Sequence, residues 1–188
     1  AEDGVALADG TLLIGDQAHG LVAVTPDGSK RPFGDFADAG YLHQPPDQIA
    51  GPNGVALEPD GMHVLVADVL TGSIYRVNIQ TEQVVRIYQH EFGTNSARRD
   101  SSGAVWFSQS TRNNGPDSEA RMFAAIDTRS LDGALYRLPP AAAGETPAVA
   151  ELKLSGLAFA NGVAIDEPRG QLYVAETMAN RIIGYRLA

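Results

Sequence analysis

The chain has 188 residues, 44% of them hydrophobic and 20% charged, enough for one full domain core and ordinary for a globular protein. Its net charge of −9 argues against sequence-independent nucleic-acid binding, which needs a basic face, and against adsorption to anionic lipid. The absence of cysteine excludes disulfides, thiolate nucleophiles and Cys-rich zinc sites and fits any redox compartment, and no apolar run approaches the ~18 residues of a membrane span.

In chain order, a short phrase recurs four times. It reads Glu2-Asp3-Gly4-Val5-Ala6-Leu7, then Asn53-Gly54-Val55-Ala56-Leu57, Asn95-Ser96-Ala97-Arg98-Arg99 and Asn161-Gly162-Val163-Ala164-Ile165. Each copy runs into a turn, at Asp9-Gly10, Asp60-Gly61, Ser102-Gly103 and Arg169-Gly170. An apolar strand ending in a polar residue follows: Leu12–Asp16, Val64–Asp68, Val105–Gln109 and Leu172–Glu176. A third strand comes next, at Leu21–Val24, Ile74–Val77, Ala134–Leu138 and Ile182–Tyr185. Outer strands are predicted at Val84–Tyr88 and Val149–Leu152.

Short strands punctuated by turns, repeating at ~40–50 residues, predict an all-β propeller with one small antiparallel sheet per blade. The four repeats begin near residues 2, 53, 95 and 161 and form a single partial domain over 1–188. Two insertions interrupt them: 34–50, and 110–133, which the sequence presents as a polar excursion with one helical turn around Met122–Ile126. Such insertions are either lids and binding loops or tolerated surface loops. Residues 139–148 read as a turn without chemistry. The start at Ala1 and the end after a third strand point to a trimmed piece of a longer protein.

Radial repetition places one oxygen-bearing side chain per blade near the axis: Glu2, Asn53, Asn95 and Asn161. Carboxylate and amide oxygens suit calcium, whereas zinc and copper favour nitrogen and sulfur. Asn-Gly alone is also a type I′ hairpin signal, although Asp60-Gly61 already supplies the turn seven residues later. Asp16, Asp68, Gln109 and Glu176 share a position and are expected to bond neighbouring backbone. His19, His43, His63 and His90 fall in loops or turns, with His63 expected to face solvent and His43 the one candidate general base. Trp106 and the strand tyrosines Tyr75, Tyr136, Tyr173 and Tyr185 are expected to pack between blades.

The stretch Val105-Trp106-Phe107-Ser108-Gln109-Ser110, followed by Gly133–Leu138, Phe159–Ile165, Tyr173–Thr177 and Arg181-Ile182, resembles the strictosidine synthase-like domain. More widely, the whole chain resembles the six-bladed propellers of the senescence-marker protein, gluconolactonase and paraoxonase superfamily. The resemblance implies a calcium ion in the channel held by Glu2, Asn95 and Asn161, with Asn53 on the substrate side. It also implies a further carboxylate from a fifth blade that this chain does not carry. Asp3 keeps one acid of the paraoxonases' second calcium site and Ser96 replaces the other, so one metal is expected. The activity implied is calcium-dependent hydrolysis of a lactone, aryl ester or phosphotriester, acting on a small molecule. Two alternatives stand beside it: a metal-free strictosidine synthase-like enzyme, whose glutamate would come from a sixth blade, and a non-catalytic ligand-binding propeller.

Overall fold

The computed structural model describes residues 3–140 and 149–187. Glu2 and most of the 139–148 turn therefore lie outside the described residues. Four antiparallel sheets follow one another along the chain. Blade 1 contains β1 (Gly4–Ala6), β2 (Leu12–Asp16), β3 (Gly20–Val24) and β4 (Lys30–Pro32). Blade 2 contains β5 (Pro52–Leu57), β6 (His63–Asp68), β7 (Ser73–Asn78) and β8 (Val84–Gln89). Blade 3 contains β9 (Ser96–Arg99), β10 (Val105–Gln109), β11 (Gly133–Leu138) and β12 (Glu151–Leu157). Blade 4 has three strands, β13 (Ala160–Asp166), β14 (Gln171–Glu176) and β15 (Arg181–Arg186). In every sheet the strands pair in sequence order, and the inner strands β1, β5, β9 and β13 adjoin in turn. The fold is a partial propeller of four blades.

Burial explains why the middle blades read as continuous apolar runs. In β6, Val64 and Val66 enter the core against Leu13, Leu21 and Tyr75, while Leu65 and Ala67 enter the next core with Phe107 and Val105. Both faces of blade 2 are therefore covered, and alternation disappears. A third core, with Trp106, Leu135, Val163, Leu172 and Val174, joins blades 3 and 4. In β14 of blade 4, buried Leu172 and Val174 flank exposed Tyr173.

Two departures from the sequence reading concern local structure. The 110–133 insertion carries an 11-residue helix, α1 (Ser118–Thr128), rather than one turn. Only Ser118 and Ala125 of it are buried, while Phe123 is exposed, so the segment offers no apolar stripe at helical period. Its anchorage is polar: the Ser118 hydroxyl donates to the Leu70 carbonyl at 2.6 Å. The outer strand of blade 3 begins at Glu151 and reaches Leu157, later than the expected 149–152, and pairs with β11 through two register shifts.

Candidate functional site

The repeat-position asparagines sit where the inner strands are irregular. The β5–β6 register shifts between Pro52 and Gly54, and the β13–β14 register between Ala160 and Val163. Asn53 and Asn161 thus occupy β-bulges, the local device that re-aims a side chain out of a sheet's regular alternation. No hairpin turn forms at either Asn-Gly pair. Asn95 enters β9 with its N–H donated to the Ser108 carbonyl at 2.9 Å and is only 4% exposed. Glycine at 54 lets blades 2 and 3 approach: a Cβ there would lie 2.4 Å from the Asn95 carbonyl oxygen.

Asn53, Asn95 and Asn161 line one axial cavity of about 140 Å³, together with Asp3, Ser96 and Arg98. Hydrogen bonds between blades fix its rim. Asp3 Oδ2 accepts from the Val55 N–H, Ser96 Oγ from the Val163 N–H, and the Ser108 hydroxyl donates to the Asn161 carbonyl. The Asn161 side-chain nitrogen donates to Thr177 Oγ1 at 3.1 Å, which leaves its oxygen for another partner. Three amides and a carboxylate form an oxygen-rich donor set that fits a hard cation. Glu2, the remaining member of the expected set, directly precedes Asp3 but lies outside the described residues.

Arg98 was not singled out by sequence reasoning. Ser96 and Arg98 are two apart on β9 and share one face, opposite to that of Asn95 by strand alternation, and both line the cavity all the same. One guanidinium nitrogen lies 4.0 Å from Asp3 Oδ2. Burial pushes the Arg98 guanidinium down, and the Asp3 charge acts the other way. Its positive charge offsets Asp3 beside the amides and opposes a second cation there.

A different acidic group, Glu58, Asp60 and His63, is close enough to converge on one ion. It lies past the far end of β5, five residues and roughly 16 Å of strand from Asn53. Arginines already occupy it. Glu58 Oε2 accepts from Arg76 at 2.8 and 2.9 Å, Glu58 Oε1 from Arg99 at 2.7 Å, and Asp60 Oδ2 from Arg76 at 3.0 Å. His63 begins β6 with its side chain 17% exposed, held by Asp60 at 2.7 Å, which corrects the expectation that it faces solvent in a turn. The group is an ion-pair network bridging blades 2 and 3.

The acids that end the second strands bond backbone. Asp68 is fully buried, and its Oδ1 accepts from the N–H groups of Gly51, Leu70 and Thr71. Glu176 accepts from the Ala158 N–H, and Asp16 from the His19 N–H. Gln109 instead donates to the Asp132 carbonyl and meets His90 Nε2 at 3.0 Å. His43 Nδ1 accepts from the Ala50 N–H at 3.2 Å, so that nitrogen holds the first insertion in place.

Comparison with known proteins adds three findings. A model of the SMP-30/gluconolactonase/LRE-like region matches residues 82–188. A solved gluconolactonase from Xanthomonas campestris is similar over the whole chain at 19% identity with a TM-score of 0.64, and a second solved structure, provisionally assigned as a gluconolactonase, gives the same values. The chain spans 58% and 59% of those two proteins, and at this identity the likeness is one of fold. No curated protein matches the chain.

Proposed function

Because the chain belongs to the SMP-30/gluconolactonase/LRE-like family, we propose that its axial cavity is the cation-binding part of an active site for calcium-dependent hydrolysis of a small lactone, aryl ester or phosphotriester. One observation carries this reading: amides from three separate blades, Asn53, Asn95 and Asn161, line a single cavity with a carboxylate, Asp3. Glu2, Asn95 and Asn161 would hold the ion, and Asn53 would lie on the substrate side.

A bound calcium ion would supply Lewis acidity at the carbonyl or phosphoryl oxygen of the substrate. The chain's own contribution is positioning. Thr177 takes the nitrogen of the Asn161 amide and so leaves its oxygen without competition for a cation. The bond from the Asn95 backbone to Ser108 fixes that residue at the mouth of β9. Arg98 places a fixed positive charge near the amides, where it favours an anionic oxygen.

The test uses the whole protein freed of metal by chelation. Calcium is expected to raise the melting temperature and restore hydrolysis of δ-gluconolactone. Asn95→Ala and Asn161→Ala should each weaken calcium binding at least about ten-fold, or ~1.4 kcal/mol. Full activity in chelator, with no calcium-dependent change in melting, would refute the reading.

A further inference from the structure

A second cavity lies away from the axial one. It encloses about 480 Å³ at the end of blade 2 where β7 begins and β8 finishes, between the two insertions, and shares no lining residue with the axial cavity. Its volume is that of a small-molecule site. Buried hydrogen bonds set its walls in place. Asn113 donates to the Val69 carbonyl at 2.7 Å and to Ser118 Oγ at 2.9 Å, and Ser118 holds Leu70, which seats α1 on the β6–β7 loop. On the other side, the Val69 N–H donates to the Gly51 carbonyl at 2.8 Å, tying that loop to the end of the first insertion.

The chemistry of the lining is divided. Tyr75 is 2% exposed, its ring packed edge-on against Phe36 and Tyr41 at 5.4 and 6.0 Å, yet it contributes to the cavity wall. Burial pushes its hydroxyl up, with Ser73 acting the other way, the Asp68 charge adding to the rise and Arg86 opposing it; Tyr75 and Arg86 both line the cavity. Among the described residues Arg86 pairs with no carboxylate, although Asp47, Glu91 and Glu119 also line the cavity. Burial pushes the His90 imidazole down, so it adds no positive charge near neutral pH. One guanidinium against three carboxylates disfavours a plain anion, while the guanidinium, without a carboxylate of its own, offers a partner to one anionic group.

We propose that this cavity binds a small zwitterion of dipeptide size, its carboxylate held by Arg86 and the Tyr75 hydroxyl and its ammonium by the carboxylates of Asp47, Glu91 and Glu119. Arg86 supplies the planar donor pair that matches a carboxylate. Leu42, Ile49 and Leu70 supply apolar wall for side chains. The site stands apart from the axial chemistry and needs no metal.

The experiment is a titration of the full protein with the dipeptide Ala-Leu, followed by calorimetry and by amide shifts of residues around the cavity. A Kd of about 1 mM or tighter is expected. N-acetyl-Ala-Leu, without the ammonium, and Ala-Leu amide, without the carboxylate, should each bind about ten-fold more weakly or worse, a difference of ~1.4 kcal/mol. Arg86→Gln lies on an exposed side chain and Tyr75→Phe preserves the packed ring; both should weaken Ala-Leu while leaving the melting temperature near its parent value. Glu119→Gln should weaken it separately. No saturable shifts for Ala-Leu overturn the proposal. So does equal affinity for either blocked peptide, or an affinity indifferent to Arg86→Gln. Calcium and hydrolysis do not enter the readout, so the outcome is independent of the axial reading.

Discussion

His90 holds its ring among aromatic neighbours, with centroids 4.6 Å from Tyr136 and 5.1 Å from Phe107, and with Nε2 at 3.0 Å from Gln109. Burial lowers its proton affinity in the folded state below the ordinary value of 6.5. The unfolded chain therefore binds the proton more tightly, and this group's contribution to stability is complete above about pH 6.5 and declines as pH falls below it. His90→Gln should flatten the dependence of the urea midpoint on pH between 7.5 and 5 relative to the parent; parallel profiles would show that the ring is not responsible. At this scale the sequence disclosed what repeats. Asn53, Asn95 and Asn161 could be picked out because equal positions in a propeller converge on the axis, and the cavity does contain all three. His63 could not be placed, because its burial depends on Arg76 and Asn78, which reach it from the neighbouring strand β7.

Among the elements, helix α1 is held by two buried side chains rather than by an apolar face. Removing the hydroxyl in Ser118→Ala takes one bond from the Leu70 carbonyl and one from Asn113, whose Oδ1 is already without a partner among the described residues. The expected cost is about 1–3 kcal/mol. Hydrogen exchange should accelerate over residues 118–128 and the β6–β7 loop while the sheets stay protected. This polar anchorage is also why the helix was hard to read: residues 110–133 present no 3.6-residue apolar period, and tertiary bonds 44 and 48 residues distant in sequence decide the conformation. The second strands β2 and β10 fell on their expected residues, Leu12–Asp16 and Val105–Gln109, because both carry compact apolar runs bounded by turns. The outer strand β12 was misplaced because its exposed face and register shifts erase the alternation.

For the molecule as a whole, cohesion lies in the seams between blades. The first seam carries the exposed pair Arg31–Glu82 beside its apolar core, whereas the second has Glu58, whose side chain is 1% exposed and grips Arg76 of its own blade and Arg99 of the next. Glu58→Ala would leave two guanidinia without their buried partner. Both retain solvent, so the expected loss is about 2–3 kcal/mol, below the range for fully enclosed pairs. Chemical denaturation of the variant measures it, and a loss under about 0.5 kcal/mol would mark the pair as a surface ornament. The third seam holds Trp106, the chain's single tryptophan, which is 4% exposed, bonded through its indole nitrogen to Asp100 at 2.8 Å and 5.7 Å from the Tyr185 ring. That placement gives the protein a native fluorophore at one junction alone. Its emission colour reports whether the last sheet is docked, while circular dichroism follows all four, so disagreement between the two signals would reveal a terminal blade that peels away before the rest melts.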